Sequence, residues 1–412
     1  MKIRLYESLI EVIIALGVGV PLILGGSLDT WRTVLTVAIV ILVPLYVVTH
    51  ELKKTYSDKF LWGYMLGTIC IVTFELMKGK KLCAYSNYET FYAGRQYLWI
   101  LFAIPLYYEI IKGENFDKYL KRIVRIIIAS LSLRTISWLC KSYLGITIFN
   151  SLLYEYGNSW SRGGKQRIDA TALIGVLIPA LYYLYKKYKK KKYAAGLLFV
   201  AAYLVFVSQT RALILGMIAC FISMFILEKR SSSKKLIIQL LLLAIFAIAV
   251  NMGATDTILN KMNITVSDGS IGYRQYEFAY YSSLLLNGKW KTGLGVLTSM
   301  NTNGKRLMFG NLDTQMYLDD LGIFECFLQF GLFTLFLYGL LLIYMVYVVT
   351  KCNRVKEYNY SLFLLGEFFY IVIISIPLNS FGIQRIFMVP IVLALTCAIN
   401  NNILKMEKEK SK

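Results

Sequence analysis

A single histidine, His50, occurs among the 412 residues, and one imidazole cannot build a His-cluster metal site. The seven cysteines (Cys70, Cys83, Cys140, Cys220, Cys326, Cys352 and Cys397) are scattered, mostly within apolar runs. No two stand at a paired spacing, so they supply neither a zinc motif nor a disulfide framework. Charge is scarce as well. Asp, Glu, Lys and Arg make up 17% of the chain, against about a quarter in a soluble domain. Polar stretches long enough to form a substructure reduce to one, at 254–321. Together these absences exclude a soluble globular domain and a disordered chain. What fills the sequence is apolar: 57% hydrophobic residues, arranged in runs of the length that crosses a bilayer.

Twelve such runs are legible, near 6–25, 31–50, 60–77, 96–112, 123–144, 168–185, 194–209, 211–228, 236–253, 322–350, 360–377 and 385–400. The expected fold is therefore an all-α polytopic membrane protein, a single integral domain over 1–412. The N-terminus lacks a small-residue cleavage site, so the first run is expected to be a retained span. A formal charge of +21 is of the sign that binds nucleic acid, but the Lys and Arg residues fall in short bursts between apolar runs, as at 186–192 and 229–235. With both termini in the cytoplasm, the inner segments hold 27 of the 45 basic residues. That is the positive-inside bias of a plasma-membrane protein, and no nucleic-acid partner is expected. Trp31, Trp62, Trp99 and Trp138 lie near span ends, where interfacial aromatics belong.

On this topology the 254–321 segment is a large outer loop inserted between the ninth and tenth spans. Within it, Tyr273, Tyr276, Tyr280 and Leu284 recur at helical spacing and predict an amphipathic helix on the outer membrane face. No internal repeat is visible, which argues against an inverted-repeat transporter.

The anomaly is arginine on the outer side. Arg134 lies inside a span, Arg162 and Arg167 precede the sixth, Arg211 sits in the tight hairpin Ser208-Gln209-Thr210-Arg211-Ala212, and Arg274 opens the amphipathic helix. An arginine at membrane depth costs about 2.5–3.5 kcal/mol. Arg never loses its proton and grips phosphate with two parallel hydrogen bonds. An outward-facing set of them points to a lipid-linked phosphate, whereas any one alone equally suits capping of helix carbonyls. Asp313, Asp319 and Asp320 gather before the tenth span, where a carboxylate beside cations suits a general base for a sugar hydroxyl; helix capping is the plainer role. Glu11, Glu75, Glu109, Glu325 and Glu367 lie in or at the ends of spans. Most are expected to be paired inside the bundle, with Glu109 interfacial and Glu367 the most expensive. Outer tyrosines such as Tyr273, Tyr280 and Tyr281 suit sugar stacking and headgroup anchoring alike.

With these residues located, the chain resembles the O-antigen ligase and O-unit polymerase superfamily of bacterial lipid-linked polysaccharide enzymes. Ser-Gln-Thr-Arg-Ala-Leu-Ile-Leu-Gly at 208–216 resembles the family's Ser-x-Ser-Arg element, with Thr210 for the second serine. Arg274, the aromatic helix and Gly293-Leu294-Gly295 resemble its outer loop, and Asp320-Leu-Gly-Ile-Phe through Gln329-Phe330-Gly331-Leu332-Phe333 the end of that loop. The match covers roughly the second half of the chain; Arg162 and Arg167 fit the preceding arginine segment. Ligases of the family carry a histidine where Asp320 aligns, and this chain has no outer histidine, which favours a polymerase.

The resemblance implies a GT-C-like membrane fold and an inverting, metal- and cofactor-independent glycosyltransferase acting on the outer face of the bacterial cytoplasmic membrane. Its donor and acceptor would be polyprenyl-pyrophosphate-linked oligosaccharides, of the undecaprenyl type, for O-antigen or capsule. Arg211 and Arg274, with Arg167, would hold the pyrophosphate, and Asp320 would accept the acceptor's proton. Arg162, Arg134, Asp319 and Tyr273 complete the expected substrate-binding set, and a chain-length regulator and a flippase are the partners such a pathway implies. Two alternatives remain open at the level of sequence: a ligase to another acceptor, and a lipid-linked oligosaccharide flippase.

Overall fold

The computed structural model describes residues 2–49, 58–113, 115–154, 161–162, 165–227, 269–286, 288–310, 316 and 318–410. Asp313, the expected span at 236–253 and the loop up to 268 lie outside the described residues, as do the side chains of Arg162, Tyr273 and Arg274.

The chain is an all-α membrane protein. Its helices are α1 (Lys2–Gly17), α2 (Leu28–Thr49), α3 (Lys59–Cys83), α4 (Asn87–Gly94), α5 (Ala103–Lys112), α6 (Phe116–Leu144), the single turn α7 (Asn150–Leu153), α8 (Ile174–Tyr188), α9 (Lys191–Ala202) and α10 (Arg211–Leu227). They continue as α11 (Gly269–Leu285), α12 (Thr302–Phe309), α13 (Ile323–Phe330), α14 (Leu341–Val355), α15 (Tyr358–Ile374) and α16 (Met388–Lys410). A two-residue antiparallel ladder, Ser161–Arg162 with Lys165–Gln166, is the one sheet among the described residues. Six helical segments there are long and apolar enough to cross a membrane: Leu28–Thr49, Lys59–Cys83, Phe116–Leu144, Lys191–Ser208, Leu335–Val355 and Met388–Lys410. Two shorter apolar helices, Arg211–Phe225 and Tyr358–Ile374, accompany them.

Several expected spans are broken, each for a local reason. The run at 6–25 ends as α-helix at Gly17 and resumes as the 3₁₀ turn Val20–Leu24, with Gly19 left-handed (φ 74°) between them. The run at 96–112 is a 3₁₀ segment, Arg95–Phe102, followed by α5. The run at 322–350 is interrupted at Gly331 (φ 54°), which separates α13 from the π-helical turn Leu335–Leu340 and α14. The run at 385–400 begins irregularly: Pro377 supplies no N–H, α15 stops at Ile374, and turns occupy the chain to Phe387.

Helix α15 is apolar all round and correspondingly buried on every side, against α8, α10 and α14. Helix α16 packs against α5 and α14, and the two make the centre of the large core. Glu367, midway along α15, is 1% exposed, and neither carboxyl oxygen has a hydrogen-bond partner among the described residues. Glu75 is paired inside the bundle as expected, with Lys78 at 3.1 Å, whereas Glu11 meets Arg122 at 3.0 Å near the surface. Glu109 departs from the interfacial expectation: it is buried and accepts hydrogen bonds from Tyr46 (3.0 Å) and Tyr119 (3.2 Å). Trp99 and Trp138 are likewise buried in protein, donating to Thr36 Oγ1 (2.8 Å) and Gln166 O (2.9 Å).

A second, smaller core lies beside the bundle. Helix α11 turns Tyr281 and Leu285 into it, where they meet Tyr85, Leu294, Leu297, Leu318 and Leu328. The buried side of the expected amphipathic helix thus faces protein, while Tyr276 and Phe278 are exposed. The Gly293-Leu294-Gly295 turn threads between α3 and α13. Leu294 N and Gly295 N donate to Leu328 O (2.8 Å) and Gln329 O (3.0 Å), and Val296 N donates to Glu75 O (3.1 Å). Gly295 is left-handed (φ 92°) and a Cβ there would strike the Gly79 backbone, so two glycines facing each other make this crossing possible.

Candidate functional site

The polar ends of the helices meet at one end of the bundle: the end of α1, the start of α2, the end of α6, the start of α8, the α9–α10 hairpin and the 375–387 turns. Two of the expected arginines hold backbone there. Arg134, 2% exposed, donates from Nη1 to Asp169 O (3.2 Å) and from Nη2 to Val18 O (3.5 Å), tying the segment before α8 to the end of α1. Arg167 donates from Nε to Ser208 O (3.0 Å) and from Nη2 to Gln209 O (3.4 Å) and Thr210 Oγ1 (3.0 Å). It clamps the hairpin in which Gln209 is left-handed (φ 52°), and Ile168 N donates to Val207 O (3.3 Å) beside it. The hairpin arises because α9 ends in a π-helical turn, Tyr203–Ser208, whose Tyr203 hydroxyl donates to Ile168 O (3.2 Å) and Asp169 O (2.9 Å). Arg211 then opens α10 with an exposed side chain.

Around the Asp169–Ala172 strip two small recesses open. One, about 50 Å³, is lined by Arg32, Arg134, Trp31, Asp169 and Gln384; the other by Asp169, Leu213, Tyr370, Gln384 and Arg385. Arg32 and Arg385, one from the start of α2 and one from the turns before α16, are both half-buried. Neither guanidinium has an ion pair or hydrogen bond among the described residues. Arg95 is the contrast: it is buried, paired with Asp29, bonded to Thr33 Oγ1 (2.9 Å) and laid over the Tyr92 ring at 3.7 Å.

Both guanidinium groups act electrostatically on Asp319, in the 3₁₀ turn Leu318–Leu321, and Arg385 acts on Glu325 as well. Burial lifts the Asp319 carboxyl above the usual range, Asp320 beside it adds to the lift, and the two guanidinium groups oppose it. The turn is brought to Arg385 by a backbone crossing. Ile323 N donates to Ser375 O (2.6 Å), and a Cβ on Gly322 (φ 59°) would run into Ile376 O, so only glycine fits. Helix α11, which carries Arg274 and Tyr273, packs against the same turn.

Below it, Glu325 joins three elements. Its Oε1 accepts from Gln329 Nε2 (3.0 Å) and its Oε2 from Asn379 Nδ2 (2.8 Å). Gln329 Oε1 in turn accepts from Leu297 N (3.1 Å), and Asn379 Oδ1 accepts from the Tyr338 hydroxyl (2.8 Å) and from Phe381 N (2.9 Å). Tyr338 also receives Ser380 N (2.7 Å). The network fixes the 375–387 turns, and with them Arg385. Burial, reinforced by the Asp319 charge, pushes the Glu325 carboxyl up to about 8.

The structure thus gathers Arg134, Arg167, Asp319 and Asp320 of the expected set at one end, with Arg211 on the adjoining hairpin and the backbone of Arg274 and Tyr273 on the helix behind the aspartates. Arg162 stands in the short ladder before Arg167. Sequence reasoning missed Arg32 and Arg385. Both lie at outer ends of expected spans, so the rule that singled out Arg134 and Arg211 also applies to them.

An apolar groove of about 370 Å³ runs down the side of the bundle between α6 and the α9 π-turn, lined by Trp138, Tyr143, Phe199, Tyr203 and Phe206. Its upper end meets the 165–169 segment, since Trp138 and Tyr203 bond to Gln166, Ile168 and Asp169. Comparison of the chain with known protein families and with curated proteins returns no match.

Proposed function

We propose that the protein is a polysaccharide polymerase that joins polyprenyl-pyrophosphate-linked oligosaccharides on the outer face of a bacterial plasma membrane. The observation that carries this reading is the pair of half-buried guanidinium groups, Arg32 and Arg385, without a direct counter-ion among the described residues and acting on Asp319. A half-buried guanidinium that no carboxylate holds by a direct hydrogen bond keeps its fork of donors open and suits a phosphate ligand.

In this reading the donor pyrophosphate lies against Arg32 and Arg385, with the exposed Arg211 on the adjoining hairpin reaching its outer oxygens; Arg274 keeps the pyrophosphate-holding role that the family resemblance implies. Arg134 and Arg167 position the backbone around it. The isoprenoid chain follows the apolar groove beside Trp138 and Phe206. The acceptor sugar hydroxyl attacks the anomeric carbon and the bond from that carbon to the pyrophosphate oxygen breaks. The electron pair leaves on the pyrophosphate, whose growing charge the arginines stabilise. The hydroxyl proton passes to Asp319 or its neighbour Asp320. A carboxyl lifted by burial is a stronger base than an exposed one, and Asp319 has that environment. Attack opposite the leaving group inverts the anomeric configuration.

The test is reconstitution of the purified protein in liposomes with a polyprenyl-pyrophosphate oligosaccharide, resolving the glycan on a gel. A ladder of lengthening chains is expected. Transfer of one unit only when a foreign acceptor is added would make it a ligase. An unextended glycan that changes sides of the bilayer would make it a flippase.

A further inference from the structure

At the opposite end of the bundle a cleft of about 400 Å³ opens between the start of α3 and the ends of α14 and α16. Four lysines line it, Lys59, Lys351, Lys405 and Lys408. The one acid lining it, Asp58, is already engaged: Oδ1 caps α3 by accepting from Phe60 N (2.8 Å) and Leu61 N (3.2 Å), and Oδ2 accepts from the Tyr344 hydroxyl (3.1 Å). Lys351 Nζ reaches Asn400 Oδ1 at 3.4 Å and lies 4.6 Å from the Tyr347 ring centre. Asn401 lines the cleft too, and its side-chain amide nitrogen is buried with no hydrogen-bond partner among the described residues. Ammonium groups and an unsatisfied amide N–H offer donors, and such a lining suits anionic oxygen.

We propose that this cleft holds the phosphodiester headgroup of an anionic glycerophospholipid. The shared chemistry is a phosphate; the lipid source follows from position. The cleft lies at span ends, where headgroups lie, on the lysine-rich side that positive-inside bias assigns to the cytoplasmic leaflet. From it, Tyr347 and Ile343, both exposed and one turn apart on α14, lead toward the middle of the bundle and offer an acyl chain a track. The floor is rigid, because Phe60 and Tyr344 stack with ring centres 3.6 Å apart. The site is remote from Arg32 and Arg385, and the proposal does not rest on the polymerase reading.

The experiment is native mass spectrometry of the full chain released from micelles doped with phosphatidylglycerol or phosphatidylcholine of matched acyl chains. Phosphatidylglycerol is expected to be retained, and phosphatidylcholine is not. Lys59→Gln with Lys351→Gln should cut retention about tenfold or more, while Lys190→Gln with Lys192→Gln, exposed lysines outside the cleft, should leave it unchanged. Lys59→Arg with Lys351→Arg should retain the lipid, separating lost charge from lost folding. Equal retention of both lipids, or loss of retention in the outside pair equal to that in the cleft pair, would overturn the proposal. So would displacement of phosphatidylglycerol by millimolar inorganic phosphate, which would assign the cleft to a soluble anion.

Discussion

Replacing Arg385 by alanine changes two quantities at once, and the structure gives both signs. A hydrogen bond to a charged group contributes about 1.5–3 kcal/mol, so losing one guanidinium–phosphate contact should lower kcat/KM by about 10- to 150-fold. Arg385 also opposes the burial that lifts the Asp319 carboxyl. Without it that carboxyl rises further, and the base must be deprotonated to act, so the ascending limb of the pH–rate profile moves to higher pH. Arg385→Lys keeps a cation near Asp319 but loses the fork, so it should restore the limb more fully than the rate. The side chain makes no hydrogen bond among the described residues, so its removal breaks none, and the carboxyls it acts on, Asp319 and Glu325, can take up a proton instead; the variant should fold. The assay is the initial rate of polyprenyl pyrophosphate release in liposomes across a wide pH range, with detergent size exclusion to check folding. Wild-type kcat/KM with an unmoved limb in Arg385→Ala would refute the reasoning.

Arg211→Ala and Arg274→Ala should abolish chain growth while leaving the protein inserted, and lysine at either place should rescue poorly; gel analysis of the glycan checks both. Glu325, held up to about 8 against an ordinary 4.5, binds its proton more tightly in the folded state. The stability from that proton is full at acid pH and is lost as pH rises through about 8. Thermal melts of the wild type should therefore weaken from acid to mildly alkaline pH, by on the order of 2–5 kcal/mol, and Glu325→Gln should flatten that dependence. Gly322→Ala places a Cβ at positive φ against Ile376 O. The left-handed backbone alone costs about 1–2 kcal/mol, so the melting temperature should drop sharply, whereas Gly63→Ala, inside α3 with nothing within 4 Å of the added Cβ, should cost nothing or stabilise. Glu367→Gln should leave the melting temperature unchanged or raised, because it removes a buried carboxyl without partners among the described residues.

The apolar runs of α2, α3, α6, α14 and α16 were legible because each bilayer crossing demands about twenty apolar residues. Their ends were less so. Hydropathy does not see Gly331 or the Pro377 stop, and the 318–322 turn and the 375–387 turns are where the site's backbone departs from α-helix. The outer arginines and the Asp319–Asp320 pair stood out as charges in the wrong place. What no local pattern could supply was the pairing in space: Asp319 acts with Arg385, distant in sequence, and with Arg32, near the start of the chain. Arg134 and Arg167 suit ligand binding and carbonyl capping alike at the level of sequence, and which carbonyls they bond is visible only in the folded backbone. The glycines at 79 and 295 make sense together only once α3 and the 293–298 segment cross.

In the proposed function, pyrophosphate lies at Arg32 and Arg385. The direct measurement is binding of a polyprenyl pyrophosphate and of the matching polyprenol to the purified protein and to Arg32→Ala with Arg385→Ala. The pyrophosphate should bind the wild type and lose tenfold or more (about 1.4 kcal/mol or more) in the double variant, while the polyprenol binds both weakly and equally. Equal affinity of wild type and double variant for the pyrophosphate would contradict the account.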